Sequence, residues 1–229
     1  DTTLDPIIAG RKSRPFPGAT RTEDYYNEGS LVWLEADMLI RQQSGGARSL
    51  DDFARAFFGG RDGDWGTLVY RFDDVVAALN AVQPYDWRSF FESRIMEPGQ
   101  PAPLAGLEQG GYHLVFRDVP NAYDAERARE GKTLDLAFSL GISVERSGEI
   151  ASVQYDGPMF NEGVTGGTRI LAVGGMAYNE DRLKAAVRAA MDGQTPITLL
   201  VEKGGRYRTI TPNWTGGLRY PHLERMGSA

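Results

Sequence analysis

Two adjacent tyrosines open a long apolar helical pattern in residues 23–46, EDYYNEGSLVWLEADMLIRQQSGG. A phenol at a helix N-terminus, here that of Tyr26, can donate a hydrogen bond to a developing oxyanion, and Gly29 would allow a neighbouring backbone to approach. The alternative is that the Tyr26 ring packs under the helix and bonds to a nearby carbonyl. The residues alone favour packing for Tyr26, and Tyr25 is expected to pack.

A series of short helices is predicted to position this stretch. The first has an apolar stripe of Leu31, Leu34 and Met38, which is widened by Val32, Ala36 and Leu39. It is expected to be buried on most sides and stops at the glycine pair after residue 44. Ser49 and Asp52 resemble a capping box that starts a second helix. The run FDDVVAALNAV predicts a third helix, and Asp86 is placed to cap a fourth. Residues 1–100 are therefore predicted to form a helical domain.

The pattern changes in residues 97–110, which are rich in proline and glycine and mark the predicted domain boundary. Beyond them, six short β-rich runs alternate with turn residues: YHLVF, GISVE, IASVQ, RILAV, ITLLVE and YRTIT. One helix is expected among them, from Asn179 or Glu180 to Met191, with Leu183 and Val187 on its apolar face. The predicted fold class is α+β, with a second domain over residues 101–229.

Composition limits the classes of function. The chain has 229 residues, no cysteine and a formal charge of −6, so disulfides and thiolate metal sites are excluded, and nucleic acid and anionic membranes are disfavoured as partners. No run of eighteen apolar residues occurs. The first residues, DTTLDP, favour a mature or cut chain. A periplasmic or secreted location is expected, with a cytoplasmic one possible.

The second half resembles a PDZ domain. Ser139-Leu140-Gly141-Ile142 matches the family's carboxylate-binding loop, and GGTRILAVGG is similar to a conserved segment of bacterial PDZ domains, although threonine follows Gly167 where the family has aspartate. The resemblance implies a β-sandwich or barrel. It also implies peptide binding at Leu140, Gly141, Ile142, Leu183 and Val187, with residues 142–146 offering an open strand edge.

Nearly the whole chain resembles the C-terminal part of the PDZ-bearing glycyl aminopeptidases, which are zinc metallopeptidases with a thermolysin-like catalytic domain. The resemblance lies in YYNEGSLVWLEADMLIRQQSGGARSLDDFARAFFG, FDDVVAALNAVQPYDW and the PDZ-like tail. It implies cleavage of small N-terminal residues, glycine or alanine, from peptides. The family's Tyr-x-Lys-Gly motif is matched at Tyr26 and Gly29, with Glu28 replacing the lysine, so the resemblance implies a catalytic role for Tyr26 as an oxyanion stabiliser.

The zinc-binding motif of such peptidases is missing from this chain. That motif is His-Glu-x-x-His on one helix, and this chain has only His113 and His222, far apart. The zinc ligands are therefore expected upstream or on a separate chain, with the N-terminal part of the peptidase as a partner beside the peptide substrate. The alternative function is a non-enzymatic PDZ adaptor whose helical part is a docking platform.

Overall fold

The computed structural model describes residues 24–60, 62–97, 99 and 101–227. These residues divide into two compact units, one of residues 24–113 with 225–227 and the other of residues 114–224. The predicted assignment of residues 1–100 to a peptidase part and 101–229 to a PDZ-like part stays a prediction, and its first 23 residues lie outside the described part of the chain.

The first unit is helical. Its elements are α1 (Asp24–Gln43), α2 (Leu50–Phe58), α3 (Phe72–Val82), α4 (Trp87–Phe91), which continues as a π-helical turn (Glu92–Met96), and α5 (Ala105–Gln109). The predicted caps are present, since the Asp51 amide donates to Ser49 Oγ and the Ser49 amide donates to Asp52 Oδ2 at 2.9 Å. The Ser89 amide donates to Asp86 Oδ1 at 3.1 Å.

The core of the helical unit is largely aromatic. Val32 and Ala36 of the predicted stripe are buried together with Ile40, whereas the stripe's other members, Leu31, Leu34, Met38 and Leu39, are half-buried. The buried residues packed with them are Phe53, Leu79, Trp87, Phe90 and Phe91. The buried face of α1 is thus narrower than the predicted stripe, and its residues Val32 and Ala36 pack with the aromatic residues of α2 and α4.

The second unit is mixed. Its elements are most of β1 (Tyr112–Arg117), α6 (Ala122–Gly131), β2 (Thr133–Leu136), β3 (Ile142–Glu145), β4 (Ile150–Val153), α7 (Pro158–Asn161), β5 (Arg169–Val173), β6 (Met176–Ala177), α8 (Glu180–Ala189), β7 (Leu199–Lys203), β8 (Arg206–Ile210) and most of β9 (Tyr220–Arg225). All six predicted β-rich runs contain strands. A 3₁₀ turn (Ala190–Asp192) follows α8 and ends at Gly193, whose φ is +70°.

The strands form open sheets with orders β2-β3-β4, β6-β5-β7-β8 and β1-β9. The two larger sheets meet at a single bridge, Glu149 to Arg169, so the described strands do not close into the barrel that was one expected form. One apolar core joins both sheets to α8, and it contains Leu140, Ile142, Leu183 and Val187. The α+β class is confirmed. No described helix is long and apolar enough to cross a membrane.

Candidate functional site

Tyr26 lies in the first turns of α1 as the structure describes that helix, with 66% of its surface exposed. The Ser30 hydroxyl donates to the Tyr26 carbonyl at 2.5 Å, a contact within the helix. This contact involves the Tyr26 backbone and not its ring. Among the described residues, about two thirds of the Tyr26 surface is therefore left uncovered. The side chain of Tyr25 lies outside the described residues.

Gly29 has no close neighbour in the described part of the chain. A Cβ built at Gly29 would meet no atom within 4 Å, so the predicted backbone approach at this glycine does not occur among these residues. Glu28 beside it is half-buried. Within the described part of the chain, no atom therefore crowds α1 at Gly29.

The rest of α1 is held by an ion pair that sequence reasoning missed. Glu35 is 3% exposed, and Arg94 donates to both of its carboxylate oxygens, from Nε at 2.8 Å and from Nη2 at 2.5 Å. The Arg94 guanidinium also lies 3.9 Å from the centroid of the Phe90 ring. The sequence carried one signal of this pair: Glu35 lies beside the buried positions Val32 and Ala36 on α1. A carboxylate buried there needs a charged partner.

Helix α5 fixes α1 from another side. A Cβ built on Gly106 would lie 2.6 Å from the Glu35 amide nitrogen and 2.8 Å from its Cα, so the two backbones touch at this glycine. Such an approach leaves no room for a side chain. The Glu35 segment, about two turns along α1 from Tyr26, is consequently held both by a charge pair and by backbone contact.

The two histidines do not form a metal site. His222 Nε2 lies 2.8 Å from the Val119 carbonyl oxygen, and His113 is half-buried in β1. Over residues 24–60, 62–97, 99 and 101–227, no three His, Asp or Glu side chains are grouped as metal ligands would be. The described residues therefore do not fit a zinc ion, and the predicted location of its ligands outside them stays a prediction.

The loop that resembles the carboxylate-binding loop has its polar groups engaged within the chain. The amides of Ser139 and Gly141 both donate to the Leu136 carbonyl at 3.0 Å, and Gly141 has a φ of +72°. The Ala137 amide donates to Asp135 Oδ1 at 2.9 Å. The Ser139 hydroxyl accepts the Arg219 amide at 3.0 Å. These amides are not directed together toward an external anion.

The predicted open edge at residues 142–146 is wrong. β3 is the central strand of its sheet, since Leu134 pairs with Val144 and Leu136 with Ile142 on one side, and Ile142 pairs with Val153 on the other. The short strand β2 was not predicted, and it occupies the position that an added peptide would take. Strand order depends on all the partners of a strand, so residues 142–146 alone could not reveal it.

Four of the five predicted peptide-binding residues have buried side chains. Leu140, Ile142, Leu183 and Val187 are each at most 1% exposed, and they share one core with Leu218 and Tyr220 from the end of the unit. Their peptide-binding role, like that of Gly141, stays a prediction. In the structure, the space between β3 and α8 is occupied by the chain's own side chains.

Two tyrosines near α8 have raised pKa values. Burial, reinforced by the charge of Glu180, raises the pKa of Tyr178 to about 12, and the buried Tyr178 hydroxyl has no hydrogen-bond partner among the described residues. Burial also raises the pKa of Tyr220, whose charged neighbours are Asp135 on β2 and Arg188 and Glu180 on α8. Tyr220 therefore lies between β2 and α8.

The comparisons with known proteins bear on the fold. The chain matches no protein-family model and none of the curated proteins. Among solved structures it is similar to an aminopeptidase N family protein from Idiomarina loihiensis, with 15% sequence identity and a TM-score of 0.61 over 93% of this chain. The likeness shows the fold alone. This chain spans 36% of that neighbour's length, so its fold corresponds to part of a larger peptidase-related protein.

Proposed function

We propose that this chain is the C-terminal portion of a zinc-dependent aminopeptidase that removes glycine or alanine from the N-termini of peptides. The observation that carries the proposal is the structural likeness to part of an aminopeptidase N family protein, which extends over 93% of the chain and so includes both units. The helical unit would complete a thermolysin-like catalytic domain, and the second unit would be its PDZ-like domain.

Tyr26 is the residue of this chain proposed to act on the substrate. Its exposure among the described residues supports this role, because an oxyanion donor must reach a molecule outside its own helix. In the complete enzyme the phenol would donate a hydrogen bond to the oxygen that becomes negative during peptide cleavage. The zinc ligands would come from residues upstream or from a separate chain, because the described residues do not supply them.

The adaptor function is less well supported. An adaptor of the expected kind needs an open edge at β3, and β2 occupies that edge. It would also leave the likeness of the helical unit to a peptidase without a function.

The test is to read the coding sequence upstream of Asp1 and to purify the intact polypeptide. We expect a His-Glu-x-x-His segment, one zinc ion per molecule and hydrolysis of glycyl and alanyl nitroanilides that stops on chelation. An intact protein that holds no zinc and releases no N-terminal residue from these substrates would contradict the proposal.

A further inference from the structure

The four-stranded sheet of the second unit ends in an exposed strand, β8. β6 is two residues long, and its Ala177 carbonyl accepts a hydrogen bond from Arg182. On the edge of β4 that faces away from β3, the Ile150 amide donates to the Thr168 carbonyl at 2.8 Å. β8 is the end strand of the four-stranded sheet, and four of its five residues are exposed. β8 is therefore an exposed edge of the four-stranded sheet to which another strand can add.

The turn before β8 indicates which backbone groups face outward. Lys203 pairs with Arg206 across the two-residue loop Gly204-Gly205, whose φ values of +59° and +77° fit a type I′ hairpin. The closing pair of such a hairpin exchanges hydrogen bonds, and bonded pairs then alternate along the strands. The amides and carbonyls of Tyr207 and Thr209 consequently point away from β7.

Three cations lie on one face of this hairpin. Lys203 pairs with Arg206, and Arg208 is two residues further along the same face of β8. Among the described residues none of the three forms an ion pair with a carboxylate; Lys203 Nζ donates instead to Thr165 Oγ1 and to the Gly166 carbonyl. Like charges directly opposite each other across a strand pair are destabilising, so this face lacks the counter-charge that would offset the repulsion.

We propose that β8 binds an acidic, extended peptide segment as an added strand. The Tyr207 and Thr209 backbone groups supply its main-chain hydrogen bonds, and every second side chain of the peptide lies on the face of Lys203, Arg206 and Arg208. Carboxylates at those alternate positions neutralise the three cations. The proposal concerns an edge of a different sheet from the one that holds β3 of the expected PDZ groove, and it does not depend on peptidase activity.

The probe is a capped nine-residue peptide of alternating Glu and Thr, titrated into the isotopically labelled chain. We expect saturable amide shifts centred on Tyr207 and Thr209, and slower hydrogen exchange at these two amides than in the free chain. A Lys-Thr peptide of the same length is the charge control. A Glu-Thr peptide with N-methyl groups at alternate residues on its bonding edge is the strand control, because it retains every carboxylate.

The double variant R206E/R208E should weaken binding of the Glu-Thr peptide at least tenfold and leave the unfolding midpoint near that of the unchanged chain, because both side chains are exposed. Arg129, exposed on α6, offers a matched control, and R129E should leave the affinity unchanged. Equal binding of the N-methylated or the Lys-Thr peptide would overturn the proposal. So would the absence of binding at millimolar peptide, or binding of anionic vesicles through Arg206 and Arg208 in place of the peptide.

Discussion

Tyr26 has a phenol that can donate a hydrogen bond, and it is 66% exposed among the described residues. Its proposed role as an oxyanion donor makes a specific kinetic prediction. In the complete enzyme, Y26F should lower kcat by about 10²–10³, roughly 3–4 kcal/mol, because a hydrogen bond to the oxyanion is lost, with little change in KM. Steady-state kinetics on a glycyl substrate measure this. Tyr70 is similarly exposed, at 61%, so Y70F is the control for loss of a phenol from the helical unit. A near-normal kcat for Y26F would assign Tyr26 to packing.

The unpartnered hydroxyl of Tyr178 predicts a loss of stability in alkali. The pKa of Tyr178 is about 12 in the folded chain, whereas an unfolded tyrosine titrates near 10. Between these values the unfolded state binds fewer protons than the folded state, so the free energy of unfolding falls as pH rises. We expect this fall to be smaller in Y178F.

Denaturant titrations at pH 9 and at pH 11.5 on both proteins provide the comparison. The pKa of Tyr220 is also raised, but Tyr220 is present in both proteins. The difference between their pH dependences of stability therefore reports Tyr178. At pH 9 the stability of the variant should fall below that of the unchanged chain by no more than about 0.5 kcal/mol, because among the described residues the hydroxyl has no partner to lose. Parallel pH dependence in the two proteins would show that the Tyr178 phenol ionises as readily in the folded chain as in the unfolded one.

At the scale of the elements, two glycines of the helical unit should respond in opposite ways to alanine. G106A places a Cβ 2.6 Å from the Glu35 amide and should cost about 2 kcal/mol or more, since neither backbone can move without disturbing the packing of α1 on α5. G29A meets no atom within 4 Å in a helix interior and should add about 0.5–1 kcal/mol. Chemical unfolding of the three proteins measures both. Equal effects would contradict the close contact at Gly106.

The elements that sequence predicted best are those with local signals. The Ser49 box and the Asp86 cap depend on residues three positions apart, so the helix starts were readable from sequence. α6, AYDAERAREG, was missed because it buries no residue and has no apolar stripe. The helix predicted to reach Met191 ends at Ala189, and a 3₁₀ turn follows in which Met191 is 62% exposed.

The candidate site was only partly readable from the sequence, for a different reason. Tyr26 could be selected from its motif, but the pairing of Glu35 with Arg94 joins residues 59 positions apart. The occupied edge of β3 likewise depends on β2, a strand of four residues with only two buried side chains. Long-range partners of this kind leave no periodic signal, so the site's supporting contacts could not be derived.

At the scale of the whole molecule, the chain alone is predicted to be inactive. Its two histidines cannot provide a three-ligand zinc site, so the untagged chain should bind no stoichiometric zinc and should hydrolyse no aminoacyl nitroanilide. Metal analysis after dialysis, with activity assays before and after chelation, measures both. The intact polypeptide, assayed under the same conditions, is the positive control. One tightly held zinc ion in the chain itself, with activity lost to a chelator, would contradict the prediction.

The pairing of β1 with β9 has a consequence for biosynthesis. β1 ends at Arg117, and its partner begins only at Tyr220, so β1 leaves the ribosome long before the strand that completes its sheet. At about 5–20 residues per second, roughly 5–20 s of translation separate the two strands. During that interval β1 has no strand partner while Leu114, Val115 and Phe116 are already synthesised. A newly made chain is therefore exposed to chaperones, and to aggregation through β1, throughout the interval before residue 225 emerges.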